Sequence, residues 1–270
     1  MALSLDRWVN AGGVRTHYLT AGHGEPILLL HGAGMGVSAE HNWRGSTAVL
    51  TEKGFSVYAP DIVGFGESDK PAGGNTIESK VQHVKNFIDV LCLERFHLLG
   101  NSLGGRITLG IAHDWPHRVK RAILSGAAGL AISFSPVLRS LAEYHPSKEK
   151  MREYLTNLCY DSALVTDEMV DKRYRLSLLP GAREAYSKFI SSANSAEGMT
   201  KGVEEMLPRI QTPTLLIWGK QDRVVPPEIG QKMAALLPNS RLEIIDECGH
   251  WAQIEHPDHF HQLVGDFLSR

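Results

Sequence analysis

Ser102 lies at the centre of the segment Gly100-Asn101-Ser102-Leu103-Gly104-Gly105, between the apolar run Phe96–Leu99 and a helix predicted over Arg106–His113. A G-x-S-x-G pattern between a strand and a helix forms a tight, strained turn that exposes the serine hydroxyl. Glycines are favoured there because the strand and helix backbones approach closely. The helix N-terminus next to the serine favours developing negative charge. The pattern therefore predicts that Ser102 is a nucleophile; the alternative is a chance match in a chain with 26 glycines.

Two downstream loops supply the partners that a nucleophilic serine needs, a base and an acid that orients the base. Asp222 follows the predicted buried strand Thr214–Gly219, and His250 follows the predicted strand Arg241–Ile245. The chain has 13 histidines, but His250 is the one placed in a loop after the last strand, with a glycine before it. The order serine, acid, histidine is one of the known orders of a hydrolytic triad. We therefore expect Ser102, Asp222 and His250 to act together.

A third loop is predicted to hold the oxyanion of the reaction. The apolar segment Glu25–Leu30 leads into His31-Gly32-Ala33-Gly34, a run of small residues after a strand. The backbone N–H of Ala33 is expected to pair with that of Leu103, and each such donor contributes about 3 kcal/mol of transition-state stabilisation.

Strands and helices that could position these loops alternate through the first half of the chain. The helix Ile77–Leu91 is predicted from its spacing of apolar residues. The predicted strands of this half are Val14–Leu19, Ile27–Leu30, Phe55–Ala59, Phe96–Leu99 and Arg121–Leu124. The alternation predicts an α/β fold with a mostly parallel, doubly wound sheet. A helical, strand-poor stretch then predicts a lid at 131–207, inserted between core segments 1–130 and 208–270.

Composition excludes several classes of protein. The 270 residues are 43% hydrophobic and 21% charged, which indicates a globular core. A net charge of −2 gives no attraction for nucleic acid or anionic membranes. The three cysteines are expected to be reduced thiols, and no secretory leader or spanning segment is predicted, so the expected location is the cytoplasm. The cluster His256–His261 is expected to open a helix, and neither metal nor cofactor is predicted.

Several segments together resemble the meta-cleavage product hydrolases, a branch of the α/β-hydrolases that splits carbon–carbon bonds during aromatic-ring degradation. The resemblance covers nearly the whole chain. It rests on His31-Gly32-Ala33-Gly34 continuing to Asn42-Trp43-Arg44, on Ala59-Pro60-Asp61-Ile62-Val63-Gly64-Phe65-Gly66-Glu67-Ser68, on Gly100–Gly105 and on Cys248-Gly249-His250-Trp251-Ala252-Gln253. Asn42, Asn101 and Trp251 are more particular to this branch than the glycine motifs. A lid segment, residues 166–174, looks similar to the region that supplies the family's arginine and nominates Arg173. Met35 stands where the family usually has proline.

The resemblance implies a mechanism in two stages on a vinylogous 1,5-diketo acid in its dienol form. Ketonisation is followed by hydrolytic fragmentation to a 2-hydroxypenta-2,4-dienoate and a carboxylic acid. Arg173 would bind carboxylate or enolate oxygens, and His250 would carry protons. The expected substrate contacts are Gly32, Asn42, Asn101, Arg173 and Trp251. The expected partners are this small-molecule substrate and further copies of the chain in a homo-oligomer.

Other interpretations of the same residues remain. Asn101 could only brace the turn, Trp251 could be a core aromatic, and Arg173 could be an exposed lid arginine. The same triad serves a carboxylesterase or amidase, and the scaffold could also host a small-molecule receptor. The sequence leaves open whether Ser102 attacks covalently or His250 activates a water that forms a gem-diol. It also leaves open the substituent at C6 of the substrate.

Overall fold

The computed structural model describes residues 5–130, 146–193 and 198–269. Its sheet has eight strands in the order β1-β2-β4-β3-β5-β6-β7-β8. The strands are β1 Leu5–Ala11, β2 Val14–Ala21, β3 Glu25–Leu30, β4 Phe55–Pro60, β5 Phe96–Asn101, β6 Val119–Ser125, β7 Thr214–Gly219 and β8 Ser240–Ile245. β1 and β2 run antiparallel to their neighbours, and the pairs from β4 through β8 are parallel. The predicted α/β class with a mostly parallel sheet is confirmed.

Helices lie on both faces of this sheet and over one edge of it. Those of the described residues are α1 Ala39–Glu52, α2 Ile77–Val90, α3 Leu103–Asp114, α4 Lys148–Leu158, α5 Asp167–Ser177, α6 Ala182–Ala193, α7 Val203–Met206, α8 Pro227–Leu236, α9 Ala252–Glu255 and α10 Pro257–Leu268, with 3-10 turns at Ser162–Leu164 and Leu207–Arg209. Sequence patterns did not predict β1, α1 or α8. No helix in the described ranges is long and apolar enough to cross a membrane.

The central strands are apolar on both sides because helices cover both faces. Along β3, Leu28 and Leu30 pack into one core cluster, whereas Ile27 and Leu29 pack into the other. This alternation explains why β3 reads as a continuous apolar run. Strands β3, β5, β6 and β7, four of the six parallel strands, thus form a mostly buried base whose carboxyl ends carry loops.

The segment predicted as a lid is helical where the structure describes it. Helices α4, α5 and α6 fall inside the predicted boundaries 131–207, and the sheet resumes at β7. Residues 131–145 and 194–197 of the predicted lid lie outside the described residues. The domain boundaries therefore stay a prediction.

Candidate active site

Ser102 occupies a strained turn between β5 and α3. Its φ of 55° and ψ of −115° lie in a region that residues other than glycine seldom adopt. The turn is held by backbone hydrogen bonds: Ser102 N–H donates to Ser125 O (3.0 Å), and Ala128 N–H donates to Ser102 O (3.1 Å). The strand thus delivers the hydroxyl to the start of α3, where the helix N–H groups favour negative charge.

Glycines make this turn sterically possible. A Cβ on Gly104 would lie 2.0 Å from Leu30 O, and a Cβ on Gly100 would lie 2.3 Å from backbone atoms of Gly104. The first turn of α3 therefore packs directly on the ends of β3 and β5. The G-x-S-x-G pattern was informative because this close packing requires residues without side chains.

Asp222 and His250, which lie 28 positions apart in the chain, form a buried pair. The Nδ1 atom of His250 lies 2.7 Å from Oδ2 of Asp222. The other oxygen, Oδ1, accepts the backbone N–H groups of Val224 (2.8 Å) and Val225 (2.9 Å). Both side chains are buried. Because Nδ1–H of His250 donates this hydrogen bond to Asp222, the Nε2 atom of the neutral ring is left as the proton acceptor.

The Asp222–His250 pair also packs against the turn that follows β6, the strand next to β5. A Cβ on Gly126, which follows β6, would lie 3.0 Å from Nδ1 of His250 and 3.1 Å from Oδ2 of Asp222. Ser102 N–H bonds to the residue immediately before this glycine. The structure therefore brings the three predicted triad residues to the carboxyl edges of β5, β7 and β8.

The predicted oxyanion loop follows β3 and lies beside the serine. A Cβ on Gly32 would lie 3.2 Å from Cβ of Ser102 and 3.3 Å from Oδ1 of Asn101. Ala33, the next residue, is half-buried, and Leu103 is buried in the first turn of α3. Gly32 and Ala33 thus lie close to the nucleophile, and their roles in binding substrate and oxyanion stay predictions.

His31 holds the start of this loop as a neutral ring. Its Nε2 accepts the N–H of Ile62 (2.9 Å), so Nδ1 carries the proton and donates to Gly32 O (2.7 Å). Burial lowers the pKa of His31 to about 4. His31 and Gly32, the first two residues of the motif, therefore stabilise the loop that carries Ala33.

Asn42 and Asn101 meet at the floor of the site. Asn101 Nδ2 donates to Ser125 O (3.0 Å) and to His250 O (3.3 Å), and its Oδ1 accepts from Nδ2 of Asn42 (3.0 Å). Both N–H groups of Asn101 thus bind backbone carbonyl groups, one at the end of β6 and one in the His250 loop. These hydrogen bonds brace the site, and the roles of Asn42 and Asn101 in binding substrate stay predictions.

Arg173 is buried rather than exposed, and it comes from helix α5 of the lid. Its Nε (3.3 Å) and Nη2 (3.0 Å) donate to the carbonyl oxygen of Met35, at the end of the oxyanion loop. The guanidinium carbon lies 5.5 Å from the ring centre of Trp251 and 5.2 Å from that of Tyr154. Because the contact uses the backbone of Met35, the departure from proline does not remove it.

The sequence patterns assigned no site role to some residues that shape the site. Tyr154 on α4 donates its hydroxyl to Ala33 O (3.5 Å). Asp61, buried at the end of β4, accepts the N–H of Ala39 (2.6 Å) and so fixes the start of α1, which carries Asn42. Glu255 accepts backbone N–H groups around His250. Such contacts join segments far apart in the chain, so spacing does not reveal them.

Comparisons of the sequence and of the fold show which known proteins the chain is similar to. The family model described as serine aminopeptidase, S33 (Hydrolase_4) matches residues 24–257. The chain is 38% identical to a 2-hydroxy-6-oxo-2,4-heptadienoate hydrolase of Pseudomonas putida, over 98% of this chain and 96% of that protein. It is 35% identical to a 2-hydroxymuconate semialdehyde hydrolase of a Pseudomonas species, over 98% and 94%. A solved meta-cleavage product hydrolase of Pseudomonas fluorescens, in complex with acetates, superposes with a TM-score of 0.91 at 36% identity, covering 97% of each chain.

Proposed function

Because the chain belongs to the meta-cleavage product hydrolases of the α/β-hydrolase fold, we propose that it cleaves a 2-hydroxy-6-oxohexa-2,4-dienoate at the bond between C5 and C6. Water is the second reactant, and the products are a 2-hydroxypenta-2,4-dienoate and a carboxylic acid. The observation that carries the proposal is the buried guanidinium of Arg173, held against the oxyanion loop and facing Trp251. A simple ester substrate has no need of a buried cation there.

The first stage is ketonisation of the dienol. The proton of the C2 hydroxyl is lost and a proton is added at C5, which leaves a ketone at C2 conjugated to the C3–C4 double bond. Arg173 is suited to hold the negative charge that passes through the C2 oxygen and the adjacent carboxylate, because a guanidinium offers a planar fork of donors. In this proposal Asn42 donates one N–H to the same oxygens while its other N–H donates to Asn101. His250 is the proton carrier, since its Nε2 faces away from Asp222.

The second stage is hydrolysis at the C6 ketone. An oxygen nucleophile adds to C6, and the N–H groups of Ala33 and Leu103 stabilise the resulting oxyanion. The bond between C5 and C6 then breaks, and its electron pair passes through C3–C4 to the oxygen at C2, beside Arg173. His250 takes the proton of the nucleophile, and Asp222 stabilises the imidazolium that forms. The nucleophile is Ser102 in the acyl-enzyme route, in which a water then hydrolyses the acyl group to the carboxylic acid and Ser102 regains its proton. In the gem-diol route the nucleophile is water, and chemical trapping of an acyl group on Ser102 separates the two routes.

A paired assay tests the function. The purified protein is assayed on two substrates. Cleavage of 2-hydroxy-6-oxohexa-2,4-dienoate is measured by the loss of its colour, and cleavage of nitrophenyl acetate is measured by the release of nitrophenol. Arg173→Gln is compared with Arg175→Gln, an exposed arginine on the same helix. We expect Arg173→Gln to lose at least ~30-fold in kcat/KM on the dienoate, because loss of a buried charged contact costs about 2–5 kcal/mol. Ester cleavage and the Arg175→Gln control should change less than about threefold.

Opposite results identify the other candidates. Fast ester cleavage with an untouched dienoate indicates a carboxylesterase, and tight binding of a small molecule with no turnover of either substrate indicates a receptor. The homo-oligomer expected from the resemblance and the cytoplasmic location expected from the sequence belong to the same proposal. Cell fractionation and light scattering test it.

A further inference from the structure

Three consecutive lid residues, at the end of helix α4, form hydrogen bonds with the loops that carry His250 and Asp222. The helix ends at Leu158, and Cys159 is extended (φ −102°, ψ 151°), so the backbone groups of 158–160 are turned away from the helix ladder. The three contacts are His250 N–H to Leu158 O (2.7 Å), Arg223 Nη2 to Cys159 O (2.8 Å) and Tyr160 N–H to Oε2 of Glu255 (2.6 Å). These hydrogen bonds therefore connect the lid directly to the segments around Asp222 and His250.

The packing at this contact is close enough to fix the position of the histidine loop. A Cβ on Gly249 would lie 2.7 Å from Leu158 O and 2.7 Å from the backbone nitrogen of Tyr160. Helix ends leave carbonyl groups without intrahelical partners, and Leu158 O is one of these. The backbone N–H of His250 supplies its partner. A shift of the lid segment 158–160 would therefore move His250 with it.

Glu255 lies on the other side of the same loop, and its carboxylate accepts backbone N–H groups from the loop and from the lid. Oε1 accepts the N–H groups of Gly249 (3.1 Å) and Trp251 (3.0 Å). Oε2 accepts the N–H of Tyr160 (2.6 Å) and also faces the N–H of Gly249 (3.0 Å). The carboxylate thus joins the residues immediately before and after His250 to the lid. Hydrogen bonds from N–H groups to an ionised carboxylate are stronger than neutral ones.

We propose that Glu255 is a positioning residue: its carboxylate holds the His250 loop between the lid segment 158–160 and helix α9, and so sets the direction of the imidazole toward Ser102. The inference rests on the proposed function in assigning His250 as the proton carrier. Glu255 itself touches no reacting atom. It acts through the backbone on either side of His250.

A glutamine at this position cannot make the same contacts. Its single oxygen can serve either Gly249 and Trp251 or Tyr160, and its NH2 group then faces N–H donors on the other side. Glu255→Gln therefore keeps the shape of the side chain but separates the lid from the loop or releases Trp251. A displacement of about 1 Å at a catalytic group costs roughly 10²-fold in rate.

The test compares Glu255→Gln and Glu255→Ala with Glu228→Gln, a control that makes the same charge change at an exposed glutamate in the first turn of α8. Two readouts are taken well below the melting temperature: kcat and KM on the dienoate, and the rate at which a fluorophosphonate labels Ser102. The third readout is the melting temperature itself. The labelling rate needs His250 as a base but not the proposed substrate.

We expect Glu255→Gln to lower kcat and the labelling rate by 10- to 100-fold, with KM changed less than threefold and the control unchanged. A lower melting temperature with kcat and the labelling rate within twofold of wild type would overturn the inference, since it would make Glu255 a purely structural residue. If the wild type does not turn over the dienoate, the proposed function fails. In that case the labelling rate alone decides on Glu255. Glu255→Ala supplies the same comparison if Glu255→Gln does not fold.

Discussion

Substitution of Asp222 by asparagine is predicted to reverse the proton arrangement of His250 without disturbing the fold. In the structure, Oδ1 of Asp222 accepts two backbone N–H groups, from Val224 and Val225, and Oδ2 faces Nδ1 of His250 at 2.7 Å. An asparagine must keep its oxygen toward the two N–H groups, because its NH2 group cannot accept them. Its NH2 group therefore points at His250.

The consequence is a change of tautomer. With a donor facing it, Nδ1 must accept, so the ring proton moves to Nε2. Nε2 then carries a hydrogen and cannot take the proton of Ser102 or of water. In serine proteases the same change lowers kcat by ~10⁴-fold, which is about 5 kcal/mol of activation free energy. We expect a loss of that order here for the step that His250 assists.

The assay measures kcat on the coloured dienoate at 25 °C together with urea denaturation. Asp258→Asn, at an exposed position in the first turn of α10, is the matched control and should match wild type in both. Asp222→Ala should lose comparable activity and also stability, by about 1–3 kcal/mol for each backbone N–H left without an acceptor. If Asp222→Asn retains kcat within about tenfold of wild type, the assignment of Asp222 as the orienting acid is wrong.

Further predictions concern the turn and the buried histidines. Gly104→Ala places a Cβ 2.0 Å from Leu30 O, so it should destabilise the protein by about 1–3 kcal/mol in urea denaturation, and an unchanged midpoint would contradict the packing. Burial lowers the pKa of His31 to about 4 and that of His83 to about 3, and each ring accepts a backbone N–H. Between pH 6.5 and about pH 4 the unfolded chain protonates these two histidines, whereas the folded protein keeps them neutral. The free energy of unfolding should therefore fall as the pH drops from 6.5 toward 4, by about 1.4 kcal/mol per pH unit for each histidine. Urea denaturation at pH 7 and pH 5 measures the difference, and equal stabilities would contradict it.

Sequence patterns predicted seven of the eight strands, β2 to β8, and missed the edge strand β1 and helix α1. Strands β3, β5 and β7 are short apolar runs because helices cover both faces, and such runs are visible in a sequence. Strand β1 has mostly exposed residues and lies at the edge of the sheet, so it carries no comparable apolar signal. Helix α1 begins after a glycine-rich loop, and its start depends on a hydrogen bond from Ala39 to Asp61, 22 positions away.

The site residues likewise form two groups: those that local sequence patterns predicted, and those whose roles only the structure showed. The order and spacing of Ser102, Asp222 and His250 follow from local rules, since each comes in a loop after a strand and parallel strands bring their carboxyl ends to one edge. The roles of the supporting residues depend on which atoms meet. Asn101 shares a motif with Ser102, yet only the structure shows that its two N–H groups are taken by Ser125 and His250.

The resemblance of the chain's motifs to known hydrolases indicated the carbon–carbon hydrolase family. The sequence by itself determined the α/β class and the three residues proposed as the triad. These depend on glycines, apolar runs and short motifs, whose physical demands act within a few residues. Only the tertiary structure decided that Arg173 is buried against the oxyanion loop and that Glu255 links the lid to the histidine loop. Those contacts join elements far apart in the chain, and a hydrogen bond between distant segments depends on how the strands and the lid pack, which local spacing does not contain.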